Sequence, residues 1–207
     1  MSASASESIE FKNRYEPWVS KNLECAEKWK PNRIDWLIVA ESPPRPKSDE
    51  EWLSPRYIYR IRKRRRGGLL LGAVLSGFLQ DDISKWKHVK RLTELKRARI
   101  FVLDVCEYPV NHLLPDLRTS EVESFLKSSF KKRLRAADPE NIILLGGRNP
   151  GEFGDRVLNG LEPKYKNRVR NDIAIPFPQG GGNNYANCRD GIILFYTGKY
   201  SHEEKRR

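Results

Sequence analysis

The chain has 207 residues, enough for one sizeable core and too few for two ordinary domains. Apolar residues make up 38% and charged residues 32%, with a formal net charge of +12, so a folded domain that attracts polyanions is expected, nucleic acid first among them. No window approaches about 18 uninterrupted apolar residues, which argues against a membrane span. Cys25, Cys106 and Cys188 form no CxxC pair, which leaves a zinc or redox motif unsupported and fits a reducing compartment.

Residues 1–12 read as a disordered tail rich in Ser, Ala and Glu, residues 13–200 as a single domain, and 201–207 as a charged tail. The opening MSASASESIE has no apolar segment of the signal-peptide kind, so a cytoplasmic location is expected. Tyr15, Trp18, Leu23 and Trp29 fall among charges over 14–30 and read as a helix. Residues 34–40 are a first buried strand. It stops abruptly at Ala40 and is followed by Glu41, Ser42, Pro43 and Pro44. Residues 41–56 hold four prolines and read as loop, broken at most by a short turn at DEEW.

The basic run RIRKRRR, 60–66, leads through Gly67 and Gly68 into an apolar helical pattern from Leu69 to Leu79. Trp86, Val89, Leu92 and Leu95 have roughly helical spacing within 83–97. IFVLDV, 100–105, is a second buried strand and EYPVNHLLP a loop. Residues 119–135 read as an amphipathic helix capped by Thr119 or Ser120. ENIILLGG, 140–147, is a third strand ending on two glycines, and DIAIPFP, 172–178, a fourth. The glycine- and asparagine-rich QGGGNNYANCRDG reads as a loop before a last apolar segment.

Short apolar strands alternating with helical patterns predict an α/β fold with a parallel sheet. In such folds the ligand sits beyond the carboxyl ends of the strands. Glu41, Ser42, Asp104, Asn111, Phe177 and Gln179–Asn183 are therefore the groups to watch. Each has a plainer reading. Glu41 fits a turn cap, Asp104 fits the partner of a buried arginine, and the triple glycine fits a simple loop.

These strand ends, in this order, resemble the uracil-DNA glycosylase superfamily. AESPP, 40–44, is similar to the first-strand motif of the GEAPG type. LDVCEYPVN, 103–111, resembles the stretch whose asparagine reads the flipped base, with Asp104 at that asparagine. FPQGGGNN, 177–184, is similar to the HPSP motif, with Phe177 at its histidine. The resemblance implies a three-layer α/β/α sandwich around a small four-stranded parallel sheet. It implies a DNA glycosylase of base-excision repair that hydrolyses the N-glycosidic bond of a flipped deaminated or damaged base.

Glu41 and Ser42 would then be catalytic, and Asp104, Asn111, Tyr108 and Phe177 would bind the base. Pro43, Arg62, Arg64, Gln179, Gly180, Gly181 and Asn183 would meet the DNA backbone. A carboxylate accepts but does not donate, so Asp104 in place of an amide points away from uracil alone. Cys106 stands where the iron–sulfur members have a ligand, but its partner cysteines are missing; no cofactor and no metal are expected. DNA, single- or double-stranded, is the expected partner of a monomer. A non-catalytic nucleic-acid-binding module on the same fold, or a nucleotide hydrolase, are the alternatives.

Overall fold

A computed structural model describes residues 5–48, 51–52, 56–61, 68–178 and 183–197. Three strands form one parallel sheet: β1 (Trp36–Ala40), β2 (Ile100–Asp104) and β3 (Asn141–Leu144), in the order β2-β1-β3. The expected fourth strand at 172–178 is absent from it. That segment makes a single antiparallel bridge, Ile175 to Gly146. Two prolines, Pro176 and Pro178, cannot donate to a ladder and stop the pairing there.

The strands read as continuous apolar runs because both faces of the sheet are covered. Every residue of β2 is buried, and in β1 and β3 only the first residue is not. The outer edges are closed by side chains that imitate a neighbouring strand. On β2, the Tyr59 hydroxyl accepts the N–H of Val102 at 2.6 Å and donates to its carbonyl at 3.1 Å. On β3, Asn171 does the same for Leu144, at 2.9 and 2.8 Å. Edge closure of this kind removes a template for unwanted pairing.

Eight helices surround the sheet among the described residues: α1 (Ala5–Trp29), α2 (Leu69–Leu79), α3 (His88–Arg97), α4 (Pro115–Lys127), α5 (Ser129–Ala137), α6 (Phe153–Gly160), α7 (Pro163–Lys166) and α8 (Asn184–Thr197). Helix α1 begins at Ala5, so residues 5–12 are helical rather than tail; Phe11 is buried against Tyr15, Trp52 and His112. Helix α2 is apolar all round and buried from Leu71 to Phe78, as a core helix should be. It lies close against α8: a Cβ on Gly77 would meet Ile192 Cγ2 at 2.8 Å.

The single helix expected over 119–135 is two. It starts earlier, with Pro115 at its first position, and breaks at Ser128 (φ −122°, ψ −102°), whose hydroxyl donates to the Ser124 carbonyl at 2.7 Å. The loop expected from Gln179 is helix from Asn184 onward. Gly146 (φ 95°) needs its left-handed backbone, and a Cβ on Gly147 would lie 1.9 Å from Glu152 Oε2; this explains the paired glycines after β3.

The chain leaves β1 through α2 and α3 to β2 on one side. It then crosses back through α4 and α5 to β3 on the other. Connections that run in opposite directions from adjacent strands open a crevice at those strands' carboxyl ends. In the order β2-β1-β3 that switch point falls between β1 and β3, while the ends of β1 and β2 line a cavity.

Candidate functional site

A cavity of about 370 Å³ lies at the carboxyl ends of β1 and β2. Ala40 lines it from the end of β1, Ser42 from the turn that follows, and Asp104 from the end of β2. Ala40 and Asp104 are register partners, so their side chains leave the sheet on one face. The ladder continues past both strands: Val105 N–H donates to the Ala40 carbonyl and Cys106 N–H to the Glu41 carbonyl, each at 2.8 Å. Arg133 braces the end of β2, donating to the carbonyls of Asp104 at 2.8 Å and Val105 at 2.7 Å and pairing with Glu107 at 3.2 Å.

Strand alternation sends Glu41 to the other face. Its carboxylate is buried and accepts two bonds from Arg118, at 2.7 and 2.6 Å, and it is not among the cavity's lining. Of the two residues expected to be catalytic, Ser42 alone reaches the cavity. Its hydroxyl accepts the Val110 N–H at 3.4 Å, which leaves its own proton available.

Asp104 is the acid of the cavity. Burial pushes its carboxyl up to about 7, against the pull of Arg133 and with a further push from Glu41. Among the described residues its carboxylate has no hydrogen-bond partner, so the pairing with a buried arginine runs through its carbonyl instead. A carboxylic acid near pH 7 can hold or release a proton under ordinary conditions.

Asn111 and Phe177 also line the cavity; Phe177 is half-buried, 5.8 Å from the Phe153 ring. Tyr108 does not line it. Its hydroxyl donates to Glu121 and its ring packs edge-on to Phe125 at 5.2 Å. Pro43 is buried beside Asp104, Tyr57 and Arg133. Asn183 is exposed at the start of α8, where its carbonyl accepts the Asn187 N–H at 2.9 Å. Arg62, Arg64, Gln179, Gly180 and Gly181 lie outside the described residues.

Of the remaining walls, Tyr57 is one of the aromatics that the sequence offers for stacking on a base and Arg60 opens the basic run RIRKRRR; the sequence did not single out the others as a site. Ile58 and Leu69–Leu71 supply apolar surface, and Tyr57 an aromatic ring. Arg45, Lys47, Arg56 and Arg60 supply positive charge. His88, first residue of α3, is buried and lines the same space. Its Nε2 lies 2.9 Å from the Ile58 carbonyl, so that nitrogen carries the proton and Nδ1 is the acceptor. Burial holds it below the usual histidine range, hence neutral near pH 7. Its place inside the basic run KWKHVKR hid it in the sequence.

Several basic runs are spent on structure. Arg135 pairs with Glu162, Arg168 with Asp138 at 2.8 Å, and Arg91 donates to the Ile83 carbonyl at 2.8 Å. Three larger grooves among the described residues, of about 650, 640 and 390 Å³, lie elsewhere on the surface, and none holds Asp104 or His88. Among the described residues no cluster of His, Cys, Asp and Glu could hold a metal, and no helix is long and apolar enough to cross a membrane. The three cysteines are free thiols. Comparison with known protein families, curated proteins and solved structures finds no match for this chain.

Proposed function

We propose that this chain is a divergent member of the uracil-DNA glycosylase superfamily and hydrolyses the N-glycosidic bond of a flipped, altered nucleotide. One observation carries the reading: a buried carboxyl, Asp104, stands at the strand ends inside a cavity of about 370 Å³ with apolar walls and a cationic rim. That volume is within the range of small-ligand sites. A base taken out of the stack needs such a pocket.

In this reading the base lies against Ile58 and Leu69–Leu71, with Tyr57 and Phe177 as aromatic neighbours. Asn111 offers both a donor and an acceptor to the base edge. Ionised Asp104 faces the positive charge that grows on the sugar and takes a proton from the attacking water. Glu41 orients Arg118 and the turn after β1 rather than the reacting atoms. The four-stranded, three-layer architecture of the superfamily is reduced here to three strands, with the 168–175 segment beside β3 in place of the fourth.

A nucleotide hydrolase is the second reading. It is favoured by the placement of Arg45, Lys47, Arg56 and Arg60 on the cavity itself, where a free nucleotide could be held. The test is a panel of oligonucleotides, each carrying one altered base, incubated with the protein and probed for abasic sites by alkaline cleavage. Abasic sites at one or more of these bases are expected. Turnover of free nucleotides with no strand cleavage would favour the second reading; strand binding without cleavage would leave a non-catalytic module.

A further inference from the structure

The cations that line the cavity are unevenly partnered. Arg56 is neutralised by Glu51, which also accepts the Lys47 backbone N–H at 2.8 Å. Arg60 has no such acid. Its guanidinium lies 4.6 Å from the Trp18 ring centroid, its Nη1 is shielded from solvent, and no acceptor among the described residues bonds it. Arg45 packs 5.6 Å from the Phe11 ring centroid, and neither it nor Lys47 has an ion pair among the described residues. The nearby carboxylates are committed elsewhere: Glu41 to Arg118, Glu51 to Arg56, Glu107 to Arg133. Asp104 is the one acid among the described lining residues.

A guanidinium stacked on an aromatic ring is held in a fixed plane, so its donor fork is set before a ligand arrives. Leaving that charge partly buried and unpaired is unfavourable until an anion takes the donors. Three cations around one apolar-walled space call for a group with several acceptor oxygens and more than a fraction of a negative charge. Phosphate fits this better than a lone carboxylate, and arginine matches it with two parallel bonds.

We propose that Arg60, with Arg45 and Lys47, forms a phosphate subsite of this cavity, so that its ligand is held as a nucleotide and not as a bare base or nucleoside. The inference rests on reading the cavity as the substrate site. The phosphate can come from a strand's phosphodiester or from a free mononucleotide, and the two are separated by the probes.

The experiment is calorimetric titration of the full chain with deoxyuridine, deoxyuridine 5′-monophosphate and a short single-stranded deoxyuridine oligonucleotide. Expected is at least about tenfold tighter binding of a phosphate-bearing probe than of deoxyuridine, as a charge-assisted bond supplies. That advantage is lost in Arg60→Gln and partly kept in Arg60→Lys. Tight binding of the oligonucleotide alone identifies a strand phosphate; equal binding of the monophosphate identifies a free nucleotide. If Arg60→Gln does not fold, Arg60→Lys carries the test: phosphate probes weaken severalfold and deoxyuridine does not. Equal affinity for all three probes, or phosphate binding unchanged in the folded variants, overturns the subsite. Base release without any Arg60-dependent phosphate effect removes the subsite and leaves the glycosylase reading. Arg60-dependent binding without base release from any strand does the reverse.

Discussion

Replacing Asp104 by asparagine should stabilise the protein, and by more as pH rises. The native carboxyl titrates at about 7 and an unfolded aspartate at 3.8. Below 3.8 both states are protonated and the shift costs nothing. Above that, the unfolded chain releases its proton first, so stability falls as pH rises through about 7. At about 1.4 kcal/mol per pH unit, the loss is about 1.6 kcal/mol at pH 5 and about 4 kcal/mol at pH 8. The gain of Asp104→Asn over the wild type should therefore grow by about 3 kcal/mol between those pH values. Urea denaturation of both proteins at pH 5, 6, 7 and 8 measures it, as a difference in midpoints that widens by about 1 M. The histidines titrate in both proteins and cancel in the comparison. A gain that does not change with pH, or a variant less stable than wild type at pH 8, would refute the desolvated carboxyl.

The same group fixes the expected pH dependence of activity. If Asp104 acts in its ionised form, base release should rise with pH and level off above about 7, and this rise should vanish in Asp104→Asn; a rate that falls over that range contradicts the role. Arg118→Met leaves the Glu41 carboxylate buried without its two bonds. A loss of about 1–2 kcal/mol in urea unfolding is expected, modest because Arg118 is partly exposed; an unchanged midpoint would show that the pair is ornamental. His112 is held down to about 4 by burial, and its ring nitrogens have no hydrogen-bond partner among the described residues. Its folded value is the lower one, so stability should fall as pH drops from about 6.5 toward 4. His112→Phe, keeping the contact with Phe11, should recover about 1 kcal/mol at pH 5 and little at pH 7.

Strands β1, β2 and β3 were legible because a strand covered on both faces spells a plain apolar run with a defined end. The C-terminal quarter was not. Ile175 makes one bridge where a strand was expected, because the prolines that follow it cannot extend a ladder. Helix α8 was hidden by a run rich in glycine and asparagine, although Cys188 and Ile192 pack inward at i, i+4. The rule that ligands sit beyond strand ends located Ser42, Asp104, Asn111 and Phe177 on one cavity. For Glu41 a usable signal was present: it differs in parity from Ala40 and Ser42, so one strand cannot turn all three toward the same space. No local signal marked His88, Arg45 and Lys47 as parts of a pocket. Arg60 opens the run RIRKRRR, which reads in sequence as a segment for phosphate contact rather than as a cavity wall.

The most direct measurement is the free base itself, quantified by chromatography after wild type and Asp104→Asn are incubated in parallel with the strands of the altered-base panel. Expected is release of at least one base by the wild type, reduced about 100-fold or more in the variant. No free base from any strand, or equal release by both proteins, would contradict the assignment of this cavity to N-glycosidic cleavage by Asp104.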